Sequence, residues 1–186
     1  IPMLKIKSKE IINKLSLSTE NGRYPGTSGY KKSIQVIEEY FEKWNIEKAG
    51  DLPSTYKQTF INKAGIENHN IVGKISGQIN KYILLGAHID HLKPHGDSFY
   101  HGADDNASGV SLVLKLSKFI STKQKAFRHG FIFVLFSSEV FANREIVFVV
   151  ADVFLDLTKL SSLTDTPLQM KLQSSHCFPK PFSLHI

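Results

Sequence analysis

The stretch GAHIDHLKPHGDSFYHGADDNASGVSLVLKL, residues 86–116, gathers four histidines and four aspartates into its first twenty positions. Neutral imidazole and carboxylate are donors for a divalent metal. Cys177 is the single cysteine of the chain, so an intrachain disulfide and a cysteine-built zinc site are both excluded. Imidazole plus carboxylates without thiolate suits zinc or a similar cation in a catalytic site. His88 can bind a metal through one ring nitrogen, and Asp90, two residues on, can accept the other ring N–H or steady the loop. Asp105 offers two oxygens, enough to bridge two cations about 3.5–4 Å apart. Glu139, if it is not itself a ligand, can take a proton from an activated water.

Each of these residues also has a plainer role open to it. DDNASG (104–109) is a good helix start, where Asp or Asn satisfies backbone N–H groups. His91, His95 and His101 read as exposed loop histidines, and one Glu after an apolar run reads as a loop residue. What favours the metal reading is joint placement. His88, Asp105 and Glu139, separated by 17 and then 34 residues, belong to segments that one fold would bring to one rim.

That fold is read from the elements around them. KYILLGAHI (81–89) and RHGFIFVLFSSE (128–139) are short, mostly apolar runs, as expected of strands buried on both faces. NASGVSLVLKLSKFIS (106–121) between them has a helical stripe with Val110, Val113, Leu114 and Phe119 inward. Strand, helix, strand at this spacing is a βαβ unit, which predicts a parallel sheet covered by helices. In such a sheet ligands gather outside the carboxyl ends of the strands, where His88, Asp90 and Glu139 fall. Upstream, KSKEIINKL (7–15) predicts a short helix with Ile11, Ile12 and Leu15 on one side. A Gly- and Pro-rich loop follows, and then a helix with Ile34, Ile37, Phe41 and Trp44 in one stripe, capped by Thr27 or Ser28. STYKQTFI (54–61) and HNIVGKISG (69–77) alternate as antiparallel or edge strands do, joined by a polar turn at 64–68. EIVFVVADVFLDL (145–157) fits a strand or a helix, and the sequence beyond it has no clear period.

At 186 residues, the chain fits a single domain able to bury roughly 70% of its unfolded surface. Its 41% hydrophobic and 22% charged residues are ordinary for a globular protein, and no apolar run has the length of a membrane span. The net charge of +6 comes from scattered lysines, several interleaved with glutamates, without an aromatic–basic platform. It is read as a solvated surface, and no nucleic-acid partner is expected. Asn106-Ala107-Ser108 matches the glycosylation pattern by chance, inside the cluster.

GAHIDH, GADDNASGV and FIFVLFSSE, in this order, resemble the co-catalytic zinc metallopeptidases of family twenty-eight. That family includes leucyl aminopeptidases, glutamate carboxypeptidase-like exopeptidases and glutaminyl cyclases. RYPGTSGYKKSIQVIEEYFEKWNI (23–46) is similar to its N-terminal region, where Arg-x-x-Gly-Thr-x-Gly leads into a helix. The likeness runs from about Gly22 to Glu139, nearly two thirds of the chain. It implies an α/β fold: a three-layer α/β/α sandwich with a mostly parallel central sheet and antiparallel edge strands, here incomplete at the C-terminus. It also implies that His88 is a ligand of one zinc, that Asp105 bridges two, and that Asp90 orients His88. Glu139 is implied as the general base in peptide-bond hydrolysis, with a peptide or aminoacyl compound as substrate. Secretion or a periplasmic location is suggested on the same ground alone.

Val140 departs from the pattern. The family has a second, zinc-binding Glu in that place, and valine has no donor atom, so a site for two zincs is expected to hold one or none. Asp152, Asp156, Asp165 and His176 are candidates to make good the loss, none in a matching context. Residues 140–186 are unassigned: either a diverged tail or sequence from a shifted reading frame. The leading expectation is therefore a zinc-dependent, aminopeptidase-like exopeptidase, as a truncated or crippled copy. The alternatives are a noncatalytic binding or dimerisation module and a glutaminyl-cyclase-like relative.

Overall fold

The computed structural model describes residues 7–17, 21–62, 64–138, 149–153, 169–172 and 182–185, the segments from 149 onward as backbone. In chain order these form α1 (Ser8–Ser16), α2 (Ser28–Lys43), β1 (Glu47–Lys48), β2 (Lys57–Ile61), β3 (Glu67–Ile75) and β4 (Tyr82–His88). An irregular turn, Ala103–Ala107, then leads into α3 (Ser108–Ser121), followed by β5 (Gly130–Phe136), β6 (Val149–Val153), β7 (Gln169–Leu172) and β8 (Phe182–His185). No described helix is long and apolar enough to cross a membrane.

Alternation of side chains along a strand explains the sheet. In β4 and β5, Leu85, Ala87, Phe131, Phe133 and Leu135 share a face with Ile71 and Ile75 of β3, and all join the core formed with the helices. The opposite face is equally apolar: Leu84, Ile132, Val134 and Phe136 are buried as well. Strands apolar on both sides belong in the centre of a covered sheet, and there they lie, in the order β1-β3-β5-β4-β6 with β2 paired to β3. β7 and β8 form a separate antiparallel pair.

The α/β architecture is the expected one, with a mixed sheet. β4 and β5 run parallel, from Tyr82 opposite Gly130 to His88 opposite Phe136, with α3 as the crossover helix. The other described pairings are antiparallel. A short turn such as that between β2 and β3 can only join antiparallel neighbours, whereas a parallel pair needs a helix-length crossover. Residues 149–153, open to either reading in the sequence, are a strand antiparallel to β4.

The helices bury the stripes their spacing predicts. Ile11 and Leu15 of α1 are buried, as are Ile34, Ile37 and Phe41 of α2 and Val110, Val113 and Leu114 of α3. Trp44, just past the end of α2, stacks on Tyr40 at 4.9 Å. At the end of α3, Ile120 is the buried residue and Phe119 packs at the margin. Of the two candidate caps for α2, Thr27 takes the role, its Oγ1 accepting from the Tyr30 N–H at 3.2 Å. Gly73 of β3 lies directly under α2: a Cβ there would meet Phe41 at 2.8 Å and Ile46 at 2.7 Å. This layer fixes α3 against β4, and so fixes where the turn before α3 sits.

Candidate functional site

At the carboxyl end of β4, His88 is buried, 3% exposed. Its Nδ1 lies 3.1 Å from the main-chain oxygen of Asp90. A carbonyl only accepts, so Nδ1 carries the proton and donates. The nitrogen left over, Nε2, lies 3.0 Å from Asp105 Oδ1. In a neutral imidazole that nitrogen is a lone pair, and it faces a carboxylate that is also only an acceptor. Two acceptors at this distance are reconciled by a proton shared between them or by a metal ion that both ligate. The sequence pointed to Asp90 as the residue steadying His88; the hydrogen bond runs to its main chain rather than its carboxylate.

Asp105 reaches this position because the chain leaves helical geometry. Its φ/ψ of −110°/93°, followed by −133°/39° at Asn106, turns the backbone just before α3. The two readings of DDNASG divide between neighbours. Asn106 is the helix-start residue: it is buried, and its Oδ1 accepts from the Gly109 N–H at 3.0 Å. A buried Asn106 also disposes of the glycosylation match. Asp105 is 67% exposed, with its carboxylate turned to two imidazoles.

The second of these imidazoles is His91, and here the sequence reading is corrected. His91 was expected to be an exposed loop histidine. It is instead 8% exposed, with Nδ1 3.5 Å from Asp105 Oδ2 and Tyr100 set edge-on at 5.9 Å. Burial lowers its pKa from the ordinary histidine value; Asp105 opposes that shift, while Arg23 and His88 add to it. His95 is exposed as expected. His101 is exposed too, with Nδ1 2.9 Å from the Ser16 carbonyl.

A further residue of the site was not singled out in the sequence. Arg23 is 1% exposed. Its Nε donates to the Ile89 carbonyl at 2.8 Å, and Nη1 donates to Leu15 at 3.2 Å and His101 at 2.7 Å. Nη2 donates to Gly102 at 2.8 Å and Asp105 at 3.3 Å, again at main-chain oxygens. Burial lowers its pKa to about 10, against the pull of Asp90 and Asp105, so it stays charged at neutral pH. The only sequence signal was its place at the head of Arg-x-x-Gly-Thr-x-Gly.

Glu139, Val140, Asp156, Asp165 and His176 lie outside the described residues. The backbone of Asp152 is opposite Ile83 in the β4–β6 pairing. That position is five residues from His88, roughly 16 Å along a strand, and therefore away from the rim. The donors present fit a divalent cation in part. His88 and Asp105 face one point with the right atoms, but a catalytic zinc uses three protein ligands. Among the described residues no group of three or more His, Cys, Asp or Glu side chains able to hold a metal is assembled.

Comparison with known proteins follows the same outline. Residues 70–147 match the model of peptidase family M28. None of the curated proteins matches the chain. Among solved structures, a glutaminyl cyclase from Fimbriiglobus ruber is similar with a TM-score of 0.60 at 18% identity, over 75% of this chain and 47% of that one. A Zn-dependent exopeptidase from Parabacteroides distasonis is similar with a TM-score of 0.54 at 23% identity, over 71% and 46%. A leucine aminopeptidase precursor from Bacteroides thetaiotaomicron gives 0.54 at 18%, over 75% and 49%. The chain thus spans less than half the length of these structures. Over residues 70–147 this chain matches peptidase family M28 in sequence, and over about three quarters of its length its fold is similar to those of the exopeptidase, aminopeptidase and glutaminyl cyclase structures.

Proposed function

We propose that this chain is the part of a zinc-dependent, aminopeptidase-like exopeptidase that carries the first metal donors. The observation supporting this most directly is the pairing of His88 Nε2 with Asp105 Oδ1 at 3.0 Å while Nδ1 is committed to a carbonyl. His88 and Asp105 would hold the metal, with His91 as the neighbour on the second Asp105 oxygen. Bound zinc would polarise a substrate carbonyl and activate water. The chain's own residues do the positioning. The Asp90 carbonyl fixes the ring and proton of His88, and the turn at Asp105–Asn106 presents a carboxylate that the helix start does not consume. Glu139, the residue after Ser138, where the described run that follows β5 ends, would accept a proton, a role carried over from the family pattern.

The test is hydrolysis of aminoacyl substrates by the zinc-loaded chain, beside cyclisation of N-terminal glutamine. The second assay is warranted because one of the similar folds is a glutaminyl cyclase. Hydrolysis lost in Glu139→Gln supports the peptidase reading, and cyclisation alone replaces it. Neither activity in a chain that binds zinc would leave a noncatalytic binding module, the outcome that Val140 favours.

A further inference from the structure

We propose that Arg23 is a positioning residue for the metal site, setting the gap between His88 Nε2 and Asp105 Oδ1; this rests on the metal reading above. A guanidinium has five N–H donors in one rigid plane, and in Arg23 all five end on main-chain oxygens. These carbonyls belong to both sides of the site. Ile89 lies between His88 and Asp90 at the end of β4. His101, Gly102 and Asp105 form the turn that delivers the opposing carboxylate. Leu15 anchors the same group to α1. In return, the Arg23 carbonyl accepts from the His91 N–H at 3.2 Å. One planar group thus spans the two segments whose side chains meet at 3.0 Å. Because its donors go to the main chain, the Asp105 carboxylate is left facing the imidazoles.

Gly102 shows how closely the turn is drawn onto this group. Its φ of 55° is in the left-handed region, and a Cβ there would overlap the Asp105 carbonyl while lying 2.6 Å from Arg23 Nη2 and 2.7 Å from His91 Cδ2. A lysine at 23 keeps the charge but replaces the fork with a point charge on a flexible stem. It cannot hold both segments at a set separation.

The experiment measures zinc affinity by competition with a chromophoric chelator. It compares wild type, Arg23→Lys, Gly102→Ala and a His88→Ala reference, with folding of each established by circular dichroism well below its melting midpoint. The expected result is a folded Arg23→Lys protein that binds zinc roughly 10–100-fold more weakly, the range for residues that orient metal ligands. Unchanged affinity in the folded variant overturns the proposal. If Arg23→Lys does not fold, Gly102→Ala, which keeps Arg23 and forces the turn off it, decides in the same two directions. If the wild type binds no zinc, the functional reading falls separately. The ring ¹⁵N shifts of His88 then decide: loss in Arg23→Lys of the Nδ1–H form seen in wild type supports the positioning role, and identical shifts overturn it.

Discussion

At the scale of single residues, adjacent side chains in one polar turn have opposite duties. Asp105 is two-thirds exposed and Asn106 is buried at a helix start. Asp105→Asn is therefore expected to leave the melting midpoint almost unchanged and to remove zinc binding. Asn106→Ala is expected to cost about 1 kcal/mol of stability, as loss of a helix-start acceptor does. Thermal denaturation beside zinc titration separates the two. The family resemblance singled out Asp105 for metal, but local pattern could not divide these duties, because Asp104, Asp105 and Asn106 are equally good at a helix start and the backbone turn is what distinguishes them. His91 escaped for a related reason. His88 and His91 stand three apart in HIDH, but burial of the second depends on Arg23 and Tyr100, which arrive from elsewhere in the chain. Arg23 showed only as the head of Arg-x-x-Gly-Thr-x-Gly, which did not reveal its role, since a side chain that bonds to carbonyls has no partner residue type to look for.

Histidine protonation belongs to the same scale. His69 in β3 is partly buried, with Nδ1 3.1 Å from Thr59 Oγ1, and burial, then Lys57, lowers its pKa against the opposing pull of Glu67 and Asp51. With the folded value below the unfolded one, the unfolded chain binds more protons as pH falls through the histidine range, so the native state loses stability there. His69→Gln is expected to shallow the decline in melting midpoint between about pH 7 and pH 5. An unchanged slope would show that His69 does not contribute to it.

Among elements, the helical stripes and apolar strands were legible because period and burial agree in them. The pattern in α2 survives to the residue, and the βαβ unit from β4 through α3 to β5 was readable from run lengths. The hand of the remaining pairings was less so. Apolar runs report burial on two faces, not the direction of a neighbour: β5, apolar along its length, pairs parallel with β4 on one side and antiparallel with β3 on the other. The close approach of α2 to β3 was likewise silent in sequence. Gly73 makes room for Phe41 and Ile46, so Gly73→Ala is expected to destabilise the fold by about 1–3 kcal/mol through overpacking. Chemical denaturation measures this as a lower midpoint at an unchanged slope.

For the whole molecule, the layers explain why the donors meet. A sheet apolar on both faces places β4 and β5 side by side in its interior, and parallel pairing sends their carboxyl ends to the same rim. α3, packed on β4, then returns the Asp105 turn to that rim. Sequence spacing anticipated this convergence because a βαβ crossover leaves little choice of route. The sequence named Asp152, Asp156, Asp165 and His176 for a further donor without singling one out, since none of them stands in a matching context.

The central claim is that His88 and Asp105 hold a metal ion. Its most direct test is elemental analysis of the purified chain after equilibration with zinc and dialysis, beside His88→Ala. The account predicts at least one zinc per chain, absent from the variant. Zinc-free wild type, or zinc retained by His88→Ala, would contradict it.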